Sequence, residues 1–206
     1  MKKQTLFTIG LATLLASATQ AYCQEQLAKS MQDARAETAK TAQQLGTTLG
    51  ALNALTQKTE GDLRPAFDTF AAEVTNTVAA AATTAARVQW MDGDAQQYFK
   101  DWQNGMTSIA NESLRKKSQK RLDAVRSDFD DVKKELTEAS AKFKPFLSDL
   151  SDIQKAVAMD LTAGGVKSVR STVRSANSNY KSVDRAINSA LKEMDKMQKA
   201  LSPEAK

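Results

Sequence analysis

LDAVRSDFDDVKKELTEASAKFKPFLSDLSDIQKAV, residues 122–157, places apolar side chains at Leu122, Val125, Phe129, Val132, Leu136, Ala139, Phe143, Phe146, Leu150, Ile153 and Val157. The spacing alternates three and four without a break, which is the a/d seam of a coiled-coil helix. Pro145 falls inside the seam. It removes a backbone donor and crowds the preceding turn, so a kink or a helix restart is expected near Lys144.

The same rhythm returns at Val166, Val169, Val173, Ala176, Tyr180, Val183, Ile187, Ala190, Met194, Met197 and Leu201. Leu161-Thr162-Ala163-Gly164-Gly165 separates the two seams, and paired glycines after a periodic run mark a helix stop and turn. A short turn between long helices makes them antiparallel neighbours. Towards the N-terminus, Leu27, Met31, Ala34, Thr38, Thr41, Leu45, Leu49, Leu52 and Leu55 form a looser stripe, ended by Glu60-Gly61-Asp62-Leu63-Arg64-Pro65. Leu63, Phe67, Phe70, Val74, Val78, Ala81, Ala85 and Val88 form another, which Asp92-Gly93-Asp94 is expected to break. Tyr98, Trp102, Met106 and Ile109 then lead towards the long third seam, with Asn104-Gly105 as a candidate irregularity.

The expected fold is all-α: an elongated antiparallel bundle of about four long helices with heptad seams, as one domain over residues 22–206. Its helices cover roughly 24–59, 63–90, 95–160 with a kink near 145, and 166–201. A helix of about 30 residues is roughly 45 Å long. The alanine-rich run Ala79 to Ala86 allows close helix approach but offers little apolar area to bury.

Residues 1–21 read as a leader rather than as part of the bundle. Lys2 and Lys3 precede an uncharged run from Leu6 to Leu15, and small residues follow. That is the layout of a secretory signal peptide. The apolar run of about ten residues is short of the roughly 20 needed to span a bilayer. Ala16-Ser17-Ala18 and Thr19-Gln20-Ala21 both offer cleavage points, the second lying closer to the first polar helix. Export to the periplasm or cell envelope is expected. The chain has one cysteine, Cys23, so no internal disulfide can form. Tyr22 and Gln20 make a poor lipidation context, which favours a free thiol over a lipid anchor or an intermolecular disulfide.

The formal net charge is +5, unevenly spread. From Gly164 onward there are nine Lys or Arg against four Asp or Glu, and from Tyr22 to Glu112 seven against eleven. A basic last helix can therefore pair with an acidic first half or face an anionic partner. The sequence has no histidine, eight glycines and three prolines, a composition that favours helix and removes the commonest general base and metal ligand. No phosphate-cradling glycine loop is present, and Asp92-Gly93-Asp94 is too short for a calcium loop. A di-iron bundle needs Glu-x-x-His pairs, which this chain lacks. No catalytic, cofactor-binding or metal-binding residues are assigned, and a non-enzymatic protein is expected.

Arg115, Lys116, Lys117, Lys120 and Arg121 concentrate five cations in the nine residues 113–121. They are candidates for binding an anionic partner such as lipid head groups or cell-wall polymer. The competing interpretation is a solvated helix face pairing with Glu112, Asp123 and Asp128. No aromatic residue is interleaved with the cations, so nucleic acid lacks a stacking platform. No small-molecule substrate is indicated.

Gly61-Asp62-Leu63, Asp101-Trp102, Ser113-Leu114-Arg115 with Ser118 and Leu122, and Phe143 with Pro145 and Phe146-Leu147 follow one another across most of the chain. In this order and spacing they resemble a bacterial family, domain of unknown function 2959. The resemblance implies an exported, envelope-associated, coiled-coil-rich protein, often with a lipoprotein-type N-terminus, and implies no activity. The expected role is a helical interaction or scaffold protein with an envelope protein partner or self-association. The alternative is a peripheral binder of anionic membrane or cell-wall polymer through the basic face.

Overall fold

The computed structural model describes residues 5–58 and 60–202, with side chains from Tyr22 onward. The leader expected over residues 1–21 lies outside the described side chains. Five helices are present among the described residues: α1 (Thr5–Gln57), α2 (Arg64–Met106), α3 (Glu112–Met159), α4 (Ala163–Ser168) and α5 (Arg170–Leu201).

Each break has a local cause. Between α1 and α2, Gly61 adopts φ 79°, a left-handed turn that only glycine takes without strain. Asp62 Oδ1 then accepts from the Arg64 amide at 2.9 Å, and Pro65 occupies the first turn, where its missing amide hydrogen costs nothing. Between α2 and α3, Thr107, Ser108 and Ile109 donate to carbonyls three residues back, a tightened terminal turn. Asn111 caps α3 by accepting from the Leu114 amide at 3.1 Å. Thr162 caps α4, accepting from the Gly165 amide at 3.2 Å and donating to Asp160 Oδ1 at 2.7 Å. Gly165 is buried, and a β-carbon there would collide with the Asp160 backbone, so the turn excludes any side chain.

Two expected boundaries are corrected. Asp92-Gly93-Asp94 does not interrupt α2. A mid-helix glycine costs only about 1 kcal/mol, and the flanking Met91, Ala95, Tyr98 and Phe99 are all buried. The third helix therefore starts at Glu112 rather than near residue 95, where the Asn111 cap begins it. α3 runs through Pro145 without a restart. Pro145 and Ala141, whose carbonyl loses its donor, are both exposed, so water can satisfy that group. The last helix is split at Val169 into α4 and α5.

The chain divides into two compact units, each drawing on several helices. The first comprises Met1–Ala34, Ala86–Val132 and Glu193–Lys206. Within it, Cys23 meets Asp101, Trp102 meets Ser118, Arg121 meets Ala200 and Gln24 meets Leu201. Those four contacts join α1 to α2, α2 to α3, α3 to α5 and α5 back to α1, closing a four-helix ring. Its buried side chains include Leu27, Met31, Met91, Phe99, Leu122, Phe129 and Met194. Phe99 and Phe129 pack edge to face, with centroids 5.9 Å apart.

The second unit comprises Arg35–Ala85 and Lys133–Lys192. Leu45, Leu52, Phe70, Phe146, Leu150, Ile153, Val173 and Val183 belong to its core. α1 and α2 run antiparallel here, since partner numbers rise on one helix as they fall on the other. Thr41 meets Thr84 at 2.9 Å and Thr48 meets Thr77 at 2.7 Å. Asp149 of α3 accepts from Ser175 and Asn179 of α5.

The seams of α3 and α5 fall where the heptads place them, with every position buried or half-buried. The α2 stripe is corrected: Val78 is 47% exposed and Ala85 is exposed, while Thr77 is fully buried. Thr48 of α1 is likewise buried, and Leu49 beside it only half so. From Val78 to Trp90 no residue of α2 is buried.

Candidate functional site

The cations named from the sequence occupy the opening turns of α3. Leu122 and Val125 turn into the core, so Arg115, Lys116, Lys117, Lys120 and Arg121 are all exposed. Their partners within the fold differ. Lys116 Nζ pairs with Glu112 Oε1 at 2.9 Å, one turn away. Arg121 donates to the Ala200 carbonyl at 2.6 Å, satisfying an orphan acceptor in the last turn of α5. Arg115, Lys117 and Lys120 pair with no described residue. Leu114 lies among them with 55% of its surface exposed.

Other ionisable groups of this unit are engaged with the bundle. Cys23 Sγ donates to Asp101 Oδ2 at 3.2 Å. Burial, followed by that hydrogen bond and the charges of Asp101 and Asp94, pushes the thiol above its ordinary range. Such a thiol is a poor nucleophile. Burial also pushes the Tyr98 phenol up to about 12, against a smaller lowering by Arg121. Lys196 reaches Asp128 at 3.0 Å, Glu193 at 3.6 Å and Asp131 at 3.7 Å. The hydrogen bond to Asp128 leads in holding its ammonium charged to higher pH. Among the described residues, no three Cys, Asp or Glu side chains converge as metal ligands.

A feature that the heptad reading missed lies between α1 and α2. Gln26, Lys29 and Asp33 of α1 face Trp90, Gly93 and Asp94 of α2 across an open groove. Trp90 is 60% exposed. The Arg87 guanidinium lies 4.7 Å from the indole centroid and reaches Asp33 Oδ2 at 3.9 Å, tying the ring to α1. The signal available in the sequence was a tryptophan off the apolar stripe, followed three residues later by a glycine.

Fold and site together define an all-α bundle protein that presents a cationic helix face and an aromatic groove. Residues 20–201 match the family described as "Protein of unknown function (DUF2959)", and the chain belongs to that family. No curated protein and no solved structure matches the chain. Among the described residues, no helix is long and apolar enough to cross a membrane.

Proposed function

We propose that this chain is an exported, non-enzymatic interaction protein of the cell envelope, a helical scaffold that engages a protein partner. The observation that carries this reading is Leu114. It stands 55% exposed at the start of α3, while the α3 seam from Leu122 onward packs into the bundle's own core. This reading assigns the exposed Leu114, which the bundle's own core does not use, as the contact for a partner. The leader layout of residues 1–21 supports export. The engagement of Cys23, Lys196 and Asp149 with structural partners supports a role without chemistry.

A second reading rests on Arg115, Lys117 and Lys120, exposed and unpaired with any described residue around Leu114. Cations flanking an exposed leucine suit an anionic membrane or cell-wall surface. A photocrosslinking residue at position 114, in intact cells and in a parallel Cys23→Ser strain, separates the two. One reproducible envelope protein, retained in the Cys23→Ser strain, supports the scaffold. Capture of no protein overturns it, and release from membrane or wall by salt then supports the anionic-surface reading.

A further inference from the structure

The groove between α1 and α2 contains two residues that the fold does not require. Trp90 spends most of its surface in water while its neighbour Met91 supplies the buried position. Gly93 sits inside a helix of 43 residues without the positive φ that would demand glycine. A β-carbon at Gly93 would meet no heavy atom within 4 Å. Alanine would fit there and would favour the helix by about 1 kcal/mol. A bare backbone one turn from an exposed indole breaks a local rule without a packing gain, a pattern expected where a ligand approaches closely.

The groove's chemistry narrows that ligand. Lys29 and Arg87 are balanced by Asp33 and Asp94, so the surroundings favour neither an anion nor a cation. Arg87 steadies the indole by stacking on it and by its reach to Asp33, which lowers the cost of ordering the ring on binding. Beside that apolar plate stand an amide, carboxylates and an ammonium, donors and acceptors suited to hydroxyl groups. A pyranose has both matching parts: a C–H face that lies flat on an aromatic ring and a rim of hydroxyls. The groove between the two helices is open rather than enclosed, which suits an extended chain lying along it rather than a small molecule held in a cavity.

We propose that the Trp90–Gly93 groove binds a neutral, extended, β-1,4-linked sugar chain. This deepens the interaction reading by giving the protein a glycan contact separate from Leu114. The test titrates purified protein with chitotetraose and cellotetraose, with coiled α-linked maltotetraose as the control. Binding is read by calorimetry and by the NMR signals of the Trp90 and Trp102 indole N–H groups. At least one β-linked probe at millimolar concentration is expected to shift the Trp90 signal and leave Trp102 in place. Trp90→Ala and Gly93→Leu should each weaken binding by about tenfold or more, a loss of about 1.4 kcal/mol, with helicity by circular dichroism unchanged. Gly93→Ala, which the fold accommodates, checks that the helix itself is not at stake. Absence of binding by both β-linked probes overturns the proposal, as does undiminished affinity in Trp90→Ala. Equal binding of maltotetraose, or loss of binding in high salt, overturns it too. Crosslinking through position 114 would survive that failure, so the two readings fail separately.

Discussion

The hydroxyls of Thr48 and Thr77 meet at 2.7 Å between α1 and α2, with both residues 0% exposed. Thr48 Oγ1 also lies 2.9 Å from the Gln44 carbonyl and 3.1 Å from that of Glu73, so the pair is fully satisfied inside the interface. Seven residues away on each helix, Thr41 and Thr84 repeat the contact at 2.9 Å. A heptad-spaced ladder of hydroxyl pairs ties α1 to α2 in one register, because a slip would bury hydroxyls without partners.

Thr48→Val should therefore cost about 1–2 kcal/mol of stability, since it strands the buried Thr77 hydroxyl, and Thr77→Val should cost less, because Thr48 keeps the Gln44 and Glu73 carbonyls. The double variant should cost less than the sum, by about 1 kcal/mol. Urea unfolding of the four proteins measures this, and strict additivity would show that the hydroxyls do not depend on one another.

The five cations in the opening turns of α3 should separate by role. Arg121→Ala removes the donor to the Ala200 carbonyl and should destabilise the protein by about 1 kcal/mol. Lys117→Ala and Lys120→Ala should stay within about 0.5 kcal/mol of the parent. Thermal melts distinguish them, and equal effects at all three would contradict the capping role of Arg121.

Cys23 should alkylate slowly. Its thiol is held protonated by burial and by Asp101, so at about pH 8 iodoacetamide should react more slowly than with an exposed peptide thiol. Asp101→Asn removes a charge and weakens the acceptor, and should speed the reaction. A rate unchanged by that substitution would assign the protection to burial alone.

Tyr98 makes the protein sensitive to alkali. Its folded pKa of about 12 lies above the ordinary 10, so the folded state holds the proton more tightly. The stabilisation is fully present below about pH 10 and is lost as pH rises towards 12, amounting to about 2 kcal/mol. Lys196 acts in the same direction, so the comparison is with Tyr98→Phe, whose stability should fall less over that window. Parallel curves for the two proteins would remove Tyr98 as the cause.

The turn before α4 should tolerate no side chain. Gly165→Ala forces a methyl onto the Asp160 backbone and should cost about 2–3 kcal/mol. At Gly164 the nearest atom is Thr162 Oγ1 at 3.4 Å, so alanine there should cost clearly less. Comparable losses at both positions would mean that helix propensity, not space, decides the turn.

The seams of α3 and α5 were legible because their positions are filled by Leu, Phe, Ile, Val and Met at unbroken heptad spacing. The α1 and α2 seams were only partly so. Hydrophobicity points to Leu49 and Val78, whereas the buried positions are the threonines one residue earlier, made acceptable by each other's hydroxyls. Asp92-Gly93-Asp94 looks like a break because its residues favour turns, but burial on both sides outweighs that preference. The true break follows the irregularity at Asn104-Gly105, where a tightened turn ends α2 and the Asn111 cap opens α3. The cations were found in place, but the task of Arg121 depends on a residue 79 positions away. Trp90 escaped notice because a periodic reading registers what enters the seam and ignores what stays outside it.

Each unit is assembled from separate lengths of chain, three in one case and two in the other. Neither can be excised as a continuous fragment, because each is interrupted by a segment of the other. A ribosome-bound chain emerging past residue 132 still lacks part of each unit, and the first unit waits for its last segment, from Glu193. Completion of the first unit thus waits for the segment from Glu193, and a truncation within α5 before that segment removes a wall from the unit that holds the groove.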